Sequence, residues 1–467
     1  MNAFQAVSDQ FLAWFKSVGG TFRDDLLEIK DLRSQGAGRG IVAKKNIPKD
    51  CVLFTIPRAA LITIETSDLS QRIPSIFDNT TQDNGGDLEP LDAWTSLILV
   101  MLYEYLQGKT SRWEPYFSVL PDRFETPIFW TKSELEELNG TCLTAEKIGH
   151  KESDDMLISK VLPLIQIHKS IFYPKGCSPL SDEELLNLAH RMGSTIMAYA
   201  FDLERDDQQS DDEEDGWVED REGRTMLGMV PMADMLNANA DFNAHVNHGD
   251  NLSVSALRSD IEPGTEILNY YGPLPASELL RRYGYVTTEH HRYDVVEISW
   301  IDVQAELGKC LNLSSAVLAQ AASQFDSDEY ESHFVIERDA GSPDEEGRIV
   351  EQAKISEVSL ELEEQFDSYL KVLRKIQPNT LSDKRKRSQL FDSVLENVLL
   401  AKLASYPTSV EEDEQALTQA HLSTRRRMAV QVRLGEKRLL EEVLALIRSK
   451  ACSKTITGES TQKRARA

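Results

Sequence analysis

Ile267 and Leu268 run into Asn269, Tyr270, Tyr271 and Gly272, so two phenols stand where a short strand ends against a glycine. That is a place to present a hydroxyl. Ahead of it lies MVPMADMLNANADFNAHV, Met229 to Val246, whose apolar run breaks at Asp234 and Asn237. The segment that follows is too polar and too rich in turn formers for a core helix, so something other than packing selected its side chains. Far upstream, Gly36, Gly38 and Gly40 alternate through SQGAGRGIVAKKNIPKD, Ser34 to Asp50. Glycine at every second position lets the backbone approach a ligand, although a glycine-rich turn before a strand is also an ordinary hairpin.

The elements that must position these pieces are mixed. Phe11, Leu12, Phe15 and Val18 have helical spacing that Gly19 and Gly20 end. From Leu26 to Ile64, LLEI, GIVA, CVLFTIP and ALITI alternate with Gly and Pro and predict strands of a small, turn-rich sheet. Trp94, Leu97, Ile98, Met101, Leu102 and Tyr105 predict an amphipathic helix. The next stretch, RWEPYFSVLPD, carries Trp113, which reads as an aromatic anchor under a loop. Helical patterns dominate from Phe124 to Leu203, with Leu185, Leu188, Ala189, Met192 and Ile196 on one face, and end in IMAYAF, whose Tyr199 has a buried structural role only as the competing reading to one at the site. Asp202 to Glu222 is acidic and of low complexity, which predicts a mobile loop. Long helices are expected over Glu357–Ile376, Gln389–Ser405 and Arg425–Ser449.

Composition narrows the class. The chain has 467 residues, 41% hydrophobic and 27% charged, enough for two or three domains of a soluble globular protein. No apolar run approaches the ~20 residues that cross a bilayer, so no membrane partner is expected. The first twenty residues lack the basic start and long apolar centre of a secretion signal, which predicts a cytosolic or nuclear protein. Five scattered cysteines, with no Cys-x-x-Cys, predict reduced thiols and no metal site. A net charge of −26 argues against direct nucleic-acid binding; it suits a basic protein partner, or solubility alone. Against that background stand three basic clusters: Lys384–Arg387 in a polar linker, Arg425–Arg427 on a solvated helical face, and Lys463–Arg466 in the tail. The first is the best candidate nuclear localisation signal.

Taken together and in this order, the glycine loop, the Asp234–Asn237 segment and the Asn269–Gly272 segment resemble the SET-domain protein lysine methyltransferases. The wide spacing between the first two motifs and RRYGYV, Arg281 to Val286, resemble the subgroup named after the Rubisco large-subunit methyltransferase. IMAYAFDLE followed by an acidic insert and MVPMADMLN is most similar to the fungal ribosomal-protein lysine methyltransferases. The resemblance implies an α+β fold of SET-type small β-sheets in residues 1–290, with a helical insertion over about 90–205 and an acidic loop at 202–222. It further implies an all-helical substrate-binding domain at 300–450, and the chain ends in a basic tail at 451–467. The implied cofactor is S-adenosyl-L-methionine, cradled by the backbone of Gly38, Arg39 and Gly40 and held by amide hydrogen bonds from Asn237. Tyr271, before the glycine, matches the catalytic tyrosine and would also touch the cofactor. Tyr199 and Tyr270 would line the substrate channel, and Trp113 is the implied substrate contact in its Trp-x-Pro-Tyr stretch.

That reaction needs a neutral amine, whereas free lysine has a pKa of ~10.4. A narrow apolar channel beside a sulfonium disfavours the ammonium form, so alignment becomes the main task of the protein. The implied substrate is a basic non-histone protein, plausibly ribosomal, in the nucleus and secondarily the cytoplasm. Two alternatives stand: methylation of another side chain such as histidine, or an inactive SET-like module that binds a basic protein. Ala238, where the family commonly has histidine after the asparagine, favours the last, and adjacent residues of a strand point to opposite faces, so Tyr270 and Tyr271 cannot reach the methyl group alike.

Overall fold

A computed structural model of the protein describes residues 3–77, 91–204, 225–325, 330–356, 358–378 and 384–464. Strands β1 (Thr21–Phe22), β4 (Val52–Pro57), β9 (Asn251–Ala256) and β8 (Ala244–Asn247) form an antiparallel sheet in that order. The inward residues of β9, Leu252, Val254 and Ala256, are buried at every second position, the period of a half-covered sheet. β2 (Leu27–Asp31) and β3 (Arg39–Ala43) make a hairpin whose second strand also takes the Ile267 N–H on the Ile41 carbonyl at 2.8 Å. A short parallel pair, β7 (Asn237–Ala238) with β10 (Leu268–Asn269), aligns Leu268 with Asn237 and Asn269 with Ala238. The two polar motifs, some thirty residues apart in sequence, thus lie side by side.

ALITI does not form the expected strand. Only Ile62 pairs, bridging to Met229, because Thr63 and Thr66 exchange hydrogen bonds between hydroxyls and backbone N–H groups and the Thr66 hydroxyl donates to the Leu61 carbonyl at 2.8 Å. Those local bonds replace a ladder.

The insertion is helical. Ala93–Leu106 starts at Asp92, whose carboxylate accepts from Thr95 N at 2.7 Å, and it is buried from Thr95 to Glu104 on all sides rather than along one stripe. Against it packs Asp182–Tyr199, opened by a capping box between Ser181 and Glu184 and burying Leu185, Leu188, Ala189, Met192 and Ile196. That helix ends at Tyr199 and runs directly into β5 (Ala200–Glu204), paired with β6 (Thr225–Met229). Asp202 to Glu204 therefore belong to a strand; the rest of the expected acidic loop lies outside the described residues.

The C-terminal half is helical around a second core that includes Val296, Trp300, Phe334, Phe366, Leu399 and Leu440. It also holds an antiparallel ladder, β11 (Val295–Ser299) with β12 (His333–Glu337). A helix begins at Lys384, so the basic cluster placed in a linker occupies a first helical turn instead. The last helix, Thr424–Arg464, clamps the two halves: Met428, Ala429 and Val432 pack on Trp130, Leu138, Leu143, Ala276 and Leu280. Arg425 is no solvated face, because it bonds Glu125 at 2.6 Å, Glu134 at 3.0 Å and the Phe129 carbonyl at 3.0 Å.

Glu436 sits within this clamp, accepting from Cys142 N at 3.0 Å and the Tyr406 hydroxyl at 2.8 Å. Burial pushes its carboxyl up to about 8, so it is protonated at neutral pH. A carboxyl whose folded pKa lies above its unfolded value of ~4.3 binds more protons when folded, so its contribution to stability falls as pH rises between the two. The urea midpoint should therefore drop from about pH 4.5 to about pH 8 and level off above that, and Glu436→Gln should flatten that slope.

Candidate active site

Several tyrosines converge where β7 and β10 end. The Tyr271 hydroxyl donates to the Leu236 carbonyl at 3.0 Å, and its ring stacks on Tyr283 at 4.5 Å and 17°. The Tyr285 hydroxyl donates to the Ala238 carbonyl at 3.4 Å. Tyr199 comes in from the end of the insertion helix, and both its hydroxyl and that of Tyr271 are raised first by burial and then by the charges of neighbouring phenols and Asp234. Burial likewise pushes Tyr283 up to about 12 and raises Tyr285. All four are desolvated yet only partly buried, so each keeps some surface that neighbouring side chains do not cover. An enclosed, apolar, hydroxyl-rimmed space disfavours a charged amine and can align a neutral one.

On the other side of β7 stands the glycine loop. Asn237 Nδ2 donates to the Arg39 carbonyl at 3.1 Å and to Glu266 Oε1 at 2.6 Å. Its two amide hydrogens are thus committed within the protein. Asn237 retains its Oδ1 as the acceptor through which it would hold a ligand, narrower than the donor-and-acceptor role expected for it. A Cβ on Gly40 would fall on Leu32 Cδ1 and lie 2.5 Å from Glu266 Oε1, whereas a Cβ on Gly38 would meet nothing within 4 Å. A side chain on Gly40 would displace Leu32 and Glu266, and Gly38 leaves bare backbone facing open space, where a ligand could approach. Burial raises the Glu266 carboxyl, against the Asn237 bond that lowers it.

Arg39 turns its guanidinium away from that cradle. Nε donates to Ser8 Oγ at 3.0 Å and Nη1 to the Val119 carbonyl at 2.9 Å, while the Phe4 ring lies 4.0 Å from its Cζ. Its side chain ties the loop to the N-terminal helix Ala3–Ser17, leaving its backbone as the part that could line a cradle.

Two expected substrate contacts lie elsewhere. Tyr270 stacks on Phe242 at 4.6 Å and 16°, on the face opposite Tyr271. Just past the end of β10, it is carried out of the tyrosine cluster. Trp113 is 2% exposed and donates its indole N–H to the Ala60 carbonyl at 2.8 Å. It is a sealed anchor with no surface left for a substrate. In their place stand Tyr283 and Tyr285, which sequence reasoning quoted within RRYGYV and gave no role; two tyrosines flanking Gly284 were the available signal. Asp234 and Tyr116, joined by a short hydrogen bond from the phenol to the carboxylate, complete the surroundings.

Comparison with known proteins agrees with this geometry. Residues 38–272 match the SET domain and residues 346–440 the Rubisco LSMT substrate-binding family. N-lysine methyltransferase SETD6 of Mus musculus is 30% identical over 93% of this chain and 89% of its own. The chain belongs to the SET-domain family of S-adenosyl-L-methionine-dependent lysine N-methyltransferases. Ribosomal lysine N-methyltransferase 4 of Saccharomyces cerevisiae is 35% identical over 64% of this chain, and the match spans 59% of that relative's length. Among solved structures, Rubisco LSMT bound to sinefungin and monomethyllysine superposes with a TM-score of 0.65 over 96% of this chain and 92% of its own, at 18% identity. Rubisco LSMT bound to AdoMet gives 0.62, covering 95% and 92% at the same identity. Those two likenesses establish the SET fold and the helical region that follows it.

Within this family the Arg39 tether has a measurable consequence. Ser8→Ala removes one neutral acceptor from the guanidinium, a loss of about 1 kcal/mol or roughly fivefold in cofactor affinity if the loop loosens. Calorimetric titration of Ser8→Ala beside the wild type checks it.

Proposed function

We propose that this chain methylates lysine on a basic, non-histone protein, with a ribosomal protein as the first candidate. The observation that carries the reading is the Tyr271 hydroxyl, pinned to the Leu236 carbonyl at the seam of β7 and β10 inside the tyrosine cluster. S-adenosyl-L-methionine, when bound, supplies an electrophilic methyl group. The open backbone at Gly38, the Arg39–Gly40 strand start and the free Oδ1 of Asn237 are the groups that would hold it. Tyr271 would orient the amine, while Tyr199, Tyr283 and Tyr285 would exclude water and keep the nitrogen neutral.

The C-terminal helical half, about 300–450, is the proposed docking surface for the protein substrate, consistent with its match to a substrate-binding family. The name of the yeast relative supports the ribosomal candidate, and the acidic balance of −26 supports a basic partner. Nuclear location, with a cytoplasmic share, belongs to the same proposal.

The test has two arms. Purified protein is titrated with S-adenosyl-L-methionine by calorimetry, then incubated with labelled cofactor and a ribosomal protein fraction, and the labelled residue is identified after hydrolysis. Micromolar binding and labelled methyl-lysine support the reading. Methyl-histidine would move the activity to another side chain, and binding of the fraction without cofactor binding or label would leave an inactive module.

A further inference from the structure

Asp234 is enclosed beside the tyrosine cluster and, among the described residues, forms no ion pair. Its Oδ2 accepts the Tyr116 hydroxyl and its Oδ1 accepts Met232 N at 3.1 Å. Other buried acids of the chain are answered differently. Asp413 has Arg433 and Lys437, while Glu104 and Glu436, 5% and 2% exposed, are sealed behind hydroxyl and N–H donors. Asp234 alone of these is only half-buried, and the Tyr271 hydroxyl bonds the Leu236 carbonyl two residues further along its loop. A desolvated carboxylate facing an enclosed space is a site for a cation.

The backbone reinforces the placement. Met232 has φ 84° and ψ −40°, a region that side-chain-bearing residues avoid, and this turn directs its N–H at Asp234 Oδ1. Strain of that kind persists where surroundings hold it and gathers at functional sites.

We propose that the Asp234 carboxylate, held by Tyr116, receives the substrate's ammonium group and takes its proton before methyl transfer; this rests on the lysine methyltransferase reading above. The N–H bond breaks, an O–H bond forms on Asp234 and the electron pair stays on nitrogen. That pair then forms the N–C bond as the C–S bond breaks with its electrons left on sulfur. The methylated product leaves as a cation, and Asp234 returns its proton to water. In a desolvated site the neutral acid and amine are favoured over the ion pair, which makes the exchange feasible. Burial pushes Asp234 up to about 7, opposed by the Tyr116 and Met232 bonds, which suits a base working near neutrality. The groups facing it are Tyr116 from the turn Glu114–Phe117, Tyr199 from the insertion helix, Tyr271 after β10 and the backbone of its own loop.

The experiment is the pH dependence of methyl transfer to the ribosomal protein fraction, at limiting substrate, for wild type, Asp234→Asn and Tyr116→Phe, each first shown to bind S-adenosyl-L-methionine. Wild type should rise through a midpoint near 7. Asp234→Asn should fall about 10²-fold or more at neutral pH and recover most of that loss in strongly alkaline buffer, where free amine is supplied by solution. Tyr116→Phe, which keeps the base and removes a donor to it, should shift the midpoint upward by about one unit. A purely structural role would lower the rate equally at every pH. Parallel profiles for Asp234→Asn, or an unmoved midpoint in Tyr116→Phe, would overturn the inference while leaving the enzyme reading intact. No transfer by the wild type at any pH would overturn both.

Discussion

Tyr271→Phe should bind S-adenosyl-L-methionine as tightly as the wild type and lose methyl transfer by about 10²- to 10³-fold, the loss expected when one preorganised polar group at a reacting centre is removed. The substitution keeps the ring that stacks on Tyr283, so the enclosed space retains its shape. What disappears is the hydroxyl and its bond to the Leu236 carbonyl. That carbonyl then loses its donor, and an unpaired buried acceptor costs about 1–3 kcal/mol, so the variant also melts a few degrees lower. Single-turnover rates and calorimetric titration, both at a temperature well below that melting point, separate chemistry from stability. Loss of cofactor affinity equal to the loss of rate would instead make Tyr271 a binding group.

Asp413→Ala carries the largest expected cost in stability. Asp413, Arg433 and Lys437 are 0%, 1% and 1% exposed, and Arg433 also bonds Glu137 of the insertion at 2.7 Å. Removing the acid leaves Arg433 with Glu137 alone and Lys437 buried without a carboxylate, which costs about 3–5 kcal/mol. Burial raises the Asp413 carboxyl, but bonds from Arg433, Lys437 and Thr408 outweigh it and hold the group below its usual value. A depressed acid contributes stability above its unfolded pKa that is lost as pH falls through the folded one. Urea denaturation should therefore show a lower midpoint for the variant at neutral pH and a narrower gap from the wild type in acid. Glu436, on the same helix as Arg433 and Lys437, acts with the opposite sign, so the clamp between the halves loosens at both ends of the pH scale.

What was legible in the sequence was local. The short strand running toward Gly272, the glycine-punctuated hairpin at Gly38 and Gly40 and the helical face of Leu185, Leu188, Ala189, Met192 and Ile196 depend on neighbours within a few residues, and each forms, the strand ending at Asn269. What stayed hidden depended on distant partners. Whether Trp113 meets a substrate or the Ala60 carbonyl is decided by a loop some fifty residues earlier. Asn237 looks like a two-sided hydrogen-bonding group until Arg39 and Glu266 take its hydrogens. Val295–Ser299 and His333–Glu337 bury alternate residues, but more than thirty residues and two helices separate them, with no turn to join them. The basic clusters misled for another reason: charge suggests solvent, and Arg425 finds carboxylates instead.

Strand β4 pairs Pro57 with Asn251 and Val52 with Ser255, closing the main sheet only after the whole insertion has been made. During synthesis, then, the glycine cradle emerges early and waits with one sheet edge bare until the tyrosines that would use it arrive. A chain interrupted just before Asn251 carries more than half of the buried apolar residues and none of the closed site, and its open strand edge is an invitation to aggregate. Activity in a lysate would therefore count finished molecules, and truncated fragments should be found with chaperones or in the pellet rather than as weak enzymes.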